Sequence, residues 1–212
     1  MQKEAQPLIG AMEIQKEYTV YNKRVVLGTA YGKEIAIVVC GVGKVNAASG
    51  TQYAIDCLGA TQIINLGVAG GLNDSVEVGK IYSVSAVVQY DFDLVQINGG
   101  KIKIGTLDGF TENYIPLTPS DGFELRRVAT GDRFNDDYRD FLLLTDELNA
   151  DIREMELGAI TQVCFHAGVE CRSFKIISDL AGSGSTTEQY RKNLDLCFAS
   201  MRKSLEKIIG AV

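Results

Sequence analysis

Ile63-Ile64-Asn65-Leu66-Gly67-Val68-Ala69-Gly70-Gly71-Leu72 is a short apolar run that ends among glycines. A run of this length, rich in Ile and closed by turn residues, suits a strand covered on both faces, as in an α/β sheet. The glycines then fall at the carboxyl edge of the strand. Open α/β sheets bind ligands at that edge, and a missing side chain there lets a ligand reach the backbone. Similar runs, rich in Val and Ile, recur at Ile35 to Cys40, Ile81 to Val88 and Phe174 to Ile177.

Helical patterns separate these runs. Val45, Ala48, Ile55 and Leu58 fall near helical spacing after a glycine turn at Gly41 to Gly43, and Leu157, Ile160, Cys164 and Ala167 repeat the pattern. The last pattern is the clearest: Leu194, Phe198, Met201, Leu205 and Ile208 follow Ser185-Thr186-Thr187-Glu188, which reads as a capping box. The stretch from Gln96 to Gly122 is rich in Gly, Thr and Asn and broken by Pro116 and Pro119, so it reads as loop and edge hairpin. No internal repeat is visible. The alternation predicts an α/β fold, a single three-layer domain over 1–212 with its sheet in the centre.

A chain of 212 residues can bury a core without disulfides or metal. Its 27 acidic against 21 basic residues, with the basic ones scattered, argue against nucleic acid or an anionic membrane as partner. Cys40, Cys57, Cys164, Cys171 and Cys197 are odd in number and contain no C-x-x-C pair, which reads as reduced cysteines of a cytosolic protein. Met1 to Pro7 is polar, and no segment approaches the ~18 apolar residues a membrane span needs, so a cytoplasmic location without membrane contact is expected. With His166 as the only histidine, neither a His-based zinc site nor a Ser-His-Asp triad is expected. No cofactor is called for.

Three segments carry chemistry. Gly41-Val42-Gly43 follows a strand and opens a helix, but Asn46 replaces the third glycine of a dinucleotide fingerprint, and Asn65 stands where an acid would hold a ribose. Arg153-Glu154-Met155-Glu156 puts two carboxylates where a strand gives way to a helix, and an ionised Glu can accept from both hydroxyls of a ribose diol. Ser178-Asp179 ends another buried strand, where a carboxyl can share a proton with a purine nitrogen.

The order of Ile9-Gly10-Ala11-Met12, Gly41-Val42-Gly43-Lys44-Val45, Gly67 with Ala69-Gly70-Gly71-Leu72, Gly131-Asp132, Glu154-Met155-Glu156 and Ile177-Ser178-Asp179 resembles the signatures of methylthioadenosine/S-adenosylhomocysteine nucleosidases. The resemblance implies a nucleoside phosphorylase-like three-layer sandwich with a mixed, twisted central sheet, acting on a small-molecule purine nucleoside as a homodimer. It implies that Glu156 clamps the ribose 2′- and 3′-hydroxyls, with Met155 against the sugar. Asp179, supported by Ser178, would protonate N7 of the departing base. Phe134 would stack on the purine and the backbone of Asn135 would read its edge. Gly70, Val68 and Met12 complete the implied nucleoside-binding set.

Departures from the pattern set the alternatives. The water-activating glutamate falls three residues after the Met of Ile-Gly-Ala-Met, which here is Gln15, an amide that cannot take a proton from water at neutral pH. A nucleosidase releasing adenine from a 5′-substituted adenosine is therefore weighed against a nucleoside-binding protein whose catalysis has weakened. Phosphorolysis ranks lower, because Asn65 stands where related phosphorylases place a phosphate-binding arginine and Val68 replaces a small hydroxyl residue. Met1 to Pro7 is too polar for a normal first strand, and Thr118 to Gly131 is too short for the helix the family carries there.

Overall fold

The computed structural model describes residues 1–134 and 136–211. All four apolar runs form strands. They lie in β3 (Lys33–Val39), β4 (Gln62–Gly71), β5 (Ile81–Gln89) and β9 (Glu170–Leu180). The glycines of the opening motif are not a turn beyond β4 but its last residues, so the strand runs to Gly71.

A mixed sheet of six strands has the order β6-β5-β7-β8-β4-β9, with β6 at Ile115–Pro116, β7 at Leu125–Thr130 and β8 at Ile152–Glu154. It closes on itself where Ile81 to Ser83 of β5 pair antiparallel with Phe174 to Ile176 of β9. Closure satisfies the edges of β5 and β9 and turns the inner side chains of β7, β8 and β9 toward one another. The segment before Gly131 is thus a strand rather than the family's helix, as its length suggested. A separate antiparallel sheet holds β1 (Glu13–Val20), β2 (Lys23–Ala30) and β3.

Helices cover both faces of the mixed sheet. On one side Ala47 from α2 (Lys44–Leu58) and Leu157, Ile160 and Cys164 from α4 (Leu157–Ala167) pack with Val84, Val128 and Ile152. On the other, Cys197, Met201 and Leu205 of α5 (Thr186–Gly210) pack with Ile176, joined by Leu8 of α1 (Gln2–Ile9), Leu66 and Val68. The Ser185 side chain caps α5 by accepting from the Glu188 N–H at 3.4 Å. A short α3 (Tyr138–Leu142) continues into a π-helical turn, Leu143–Glu147, beside Leu72, Tyr90 and Ala129.

One sequence reading changes. The apolar face read for α2 is not the one it buries: Val45 is 80% exposed, while Ala47, Gly50, Thr51 and Ala54 are buried. Small residues win there because the helix lies close on its neighbours; a Cβ at Gly50 would sit 2.6 Å from that of Cys40. The Ile9-Gly10-Ala11-Met12 segment falls between two elements. Ile9 closes α1, Gly10 to Met12 turn, and β1 follows at once.

Candidate active site

β4 and β9 run parallel, with the register slipping so that Ala69 pairs with Ile177 and Gly70 with Asp179. Ser178 is the extra residue, and such a bulge re-aims the side chains beside it. Asp179 thereby comes opposite Gly70, where a Cβ would meet its Oδ2 at 2.8 Å. Glycine is required by that close approach. Ser178 Oγ donates to Asp179 Oδ1 at 2.6 Å, which leaves Oδ2 without a protein partner among the described residues. Among the described residues no buried side-chain oxygen or nitrogen lacks a partner, so Oδ2 is the oxygen that opens to accessible space. Burial pushes the Asp179 carboxyl above its usual range, against the Ser178 bond and the Arg153 charge that pull it down.

Glu154 and Glu156 divide the work at the start of α4. Glu154 is buried in the sheet, where it accepts from the backbone N–H of Glu156 at 3.0 Å and of Leu157 at 2.8 Å, from the Thr130 hydroxyl, and from Lys175 Nζ at 2.8 Å. Both members of that ion pair are 2% exposed. Glu156 is freed to face outward, its Oε1 accepting from the Gly43 N–H at 2.9 Å. Gly43 holds a φ of 94°, which a side chain would rarely tolerate, and this conformation turns its N–H toward Glu156. Burial raises the Glu156 carboxyl, with the charge of Glu154 adding to it and Lys175 opposing.

The glycine turn is itself clasped. Asp132 Oδ1 accepts from the Lys44 N–H at 2.8 Å, Lys44 Nζ meets Asp91 Oδ1 at 2.6 Å, and Asp91 Oδ2 accepts from the Asp132 N–H at 2.9 Å. Asp91 therefore ties the ends of β5 and β7 to the start of α2. Asp93 only caps a local turn, accepting from the Val95 N–H.

Glu4 was not foreseen. It projects from α1 so that Oε1 accepts from the Val68 N–H at 2.9 Å, close against Gly67, while Oε2 takes the Met1 amino group at 2.5 Å. Tyr190 of α5 joins these groups. Burial pushes its hydroxyl up, and the charges of Glu4, Asp179 and Glu156 add to that rise. Phe134, 54% exposed, meets Tyr190 edge-on with ring centroids 5.9 Å apart.

Gln15 does not reach this region. It is an exposed residue at a bulge of β1, a strand paired only with β2 in the separate sheet, because the chain leaves α1 at Ile9 and turns away. Met12 lies in that same turn, half-buried, between α1 and β1. The spacing Met-x-x-Glu occurs with its carboxylate intact at Met1-Gln2-Lys3-Glu4, and this was the available signal. Val68 and Gly70 lie on β4, Ser178 is buried beside Asp179, and Met155 is half-buried between the two glutamates. Asn135 lies outside the described residues. Among those described, no group of three or more His, Cys, Asp or Glu side chains could hold a metal ion, and no helix is long and apolar enough to cross a membrane.

The sequence profile of the phosphorylase superfamily matches residues 1–117 and 121–212. A methylthioadenosine/S-adenosylhomocysteine nucleosidase of Halalkalibacterium halodurans is 31% identical over 194 residues, covering 86% of this chain and 84% of the relative. An aminodeoxyfutalosine nucleosidase of Campylobacter jejuni is 28% identical, covering 86% and 83%. Among solved structures, a futalosine hydrolase of Helicobacter pylori superposes with a TM-score of 0.88 at 21% identity, over 100% of this chain and 95% of that one.

Proposed function

The chain belongs to the phosphorylase superfamily and, within it, to the methylthioadenosine/S-adenosylhomocysteine nucleosidase family, and from that premise we propose that it hydrolyses the N-glycosidic bond of a 5′-substituted purine nucleoside, with methylthioadenosine and S-adenosylhomocysteine the substrates to try first. The observation that carries this reading is that Glu4 and Asp179 both close on the carboxyl half of β4, at Gly67 and Gly70, while Glu156 faces outward from the start of α4 onto the glycine turn.

Glu156 accepts from the ribose 2′- and 3′-hydroxyls, while Met155 lies against the sugar. Phe134 stacks on the base, and Tyr190 backs it. The C1′–N9 bond breaks with its electron pair going to the purine, and Asp179, protonated on the accessible Oδ2, gives its proton to N7. The raised carboxyl of Asp179 favours that protonated form. Water adds to the oxocarbenium-like C1′ and loses a proton to Glu4. The products are the free base and the 5′-substituted ribose.

A catalytically weakened binding protein was motivated by Gln15. Glu4 supplies a carboxylate at the site instead, which removes the motive. Phosphorolysis gains no support, since Asn65 faces the sheet, its Oδ1 accepting from Ser173 Oγ at 3.1 Å. Incubation of the pure protein with these nucleosides, with and without phosphate, tests the reading by chromatography of the free base. Base released at a phosphate-independent rate is expected; absence of release from every nucleoside tried would overturn it.

A further inference from the structure

Arg153 is the residue of the Arg153-Glu154-Met155-Glu156 segment that the mechanism leaves unused. On β8 it points to the opposite side from buried Glu154, and it pairs with Gly70 across the β4–β8 ladder. Its side chain is only 14% exposed. A Cβ on Gly70 would stand 3.4 Å from Arg153 Nε and 2.8 Å from Asp179 Oδ2, so the guanidinium and the proton-bearing oxygen converge on one spot kept empty by glycine.

The protein does not use up the donors of this guanidinium. Its one ion pair among the described residues is with Asp136 Oδ1, at 3.7 Å, beyond hydrogen-bonding distance. That same oxygen is engaged by the Thr186 hydroxyl at 2.6 Å. Among the described residues no buried side-chain nitrogen lacks a partner, so the free N–H groups of Arg153 open, like Asp179 Oδ2, to accessible space. Asp136 is held in turn by Thr186, at the start of α5.

A guanidinium is donor-only and always charged. The base edge that meets Asp179 presents N7 and the substituent at C6. In a 6-aminopurine this edge offers one acceptor and one donor, which a protonated carboxyl can satisfy by itself. In a 6-oxopurine it offers two acceptors, N7 and O6, and requires two donors. The structure has two there.

We propose that Arg153 is a specificity-determining residue whose guanidinium donates to O6, so that this site accepts 6-oxopurine nucleosides. The inference rests on the nucleosidase reading of the same site, and it names the class of base that site takes. Loss of a charged hydrogen bond to a buried acceptor is typically worth about 10- to 100-fold.

The test compares methylthioadenosine with its 6-oxo counterpart, methylthioinosine, in the unaltered protein and in Arg153→Met, which keeps the packing stem, and Arg153→Lys, which keeps the charge without the fork. The ratio of kcat/KM for the 6-oxo over the 6-amino nucleoside is expected to fall about 10- to 100-fold in Arg153→Met and less in Arg153→Lys. Calorimetric titration with free hypoxanthine and free adenine reads the same preference without catalysis, and hypoxanthine alone should lose affinity. A ratio and a pair of affinities that do not depend on Arg153 in folded variants would overturn the proposal, even if methylthioadenosine is cleaved. Arg153-dependent binding of hypoxanthine with no cleavage of either nucleoside would uphold it and overturn the hydrolytic reading instead. If neither base binds and neither nucleoside is cleaved, both fall.

Discussion

Glu4 and Gln15 occupy the same place in two copies of one short pattern, and only their surroundings tell them apart. Glu4→Gln should lower kcat by about 10²- to 10⁴-fold, the usual worth of general-base assistance, with KM little changed. Gln15→Glu, on an exposed strand of the other sheet, should leave the rate unchanged; a gain from that substitution would return the role to Gln15. Asp179 carries a prediction in pH. Its carboxyl is raised in the folded state, so between the unfolded and the folded value the native protein holds the proton more tightly than the unfolded chain. Stability from this group is present at low pH and lost as pH rises through the folded value, because a buried charge must then be tolerated. Asp179→Asn should therefore melt higher than the parent at pH 7, with the difference vanishing near pH 4, while activity falls at least 100-fold. Calorimetric melting across this range, beside rates, checks both halves. An asparagine variant that is less stable at pH 7 would show that Ser178 and Arg153 outweigh burial.

Elements explain why those residues meet. Helix α4 begins where it does because Glu154 gathers the first free N–H groups of the helix, and Lys175 neutralises it from the facing strand. Lys175→Met would leave a carboxylate buried without its counter-charge, which typically costs about 3 to 5 kcal/mol. Urea unfolding should show that loss, and Lys175→Met with Glu154→Gln should recover part of it, since the pair is then removed together. Equal losses in the single and double variants would mean that packing, not charge, is what Lys175 supplies. The glycine turn before α2 works likewise. Gly43→Ala must strain a φ of 94° and crowd Asp132 Oδ1, 3.0 Å from the new Cβ. Because Glu156 takes its hydrogen bond from that turn, the substitution should raise KM more than it lowers kcat.

For the molecule as a whole, occupancy of the site should stabilise the fold, because its walls come from α1, β4, the start of α4, the end of β9 and α5. A base or nucleoside at a hundred times its Kd adds about 2.7 kcal/mol, which for a domain of this size raises Tm by roughly 5 to 10 °C. A flat melting curve against added adenine and hypoxanthine would contradict a preformed nucleoside site. We also expect a homodimer. Sedimentation equilibrium at micromolar concentration checks this, and a monomer would overturn that expectation.

What the sequence determined by itself was the fold class, the four principal strands and the capped last helix, and it singled out Glu156 and Asp179 as candidate site carboxylates. Each is local: apolar runs, helical spacing and caps are set by neighbours along the chain, and strand ends in such a sheet predictably face ligand. The buried face of α2 was misread because apolarity was taken to mark it, whereas close packing selected Ala47, Gly50 and Ala54 over Val45. The places that Glu4, Arg153 and Tyr190 take were decided only by tertiary structure. Glu4 stands 64 residues from the Val68 N–H it meets, and Arg153 and Asp179 approach one point only because β4 lies between β8 and β9 with a glycine facing both. No pattern along the chain encodes such meetings, since they depend on which strands become neighbours and on a one-residue slip in their register.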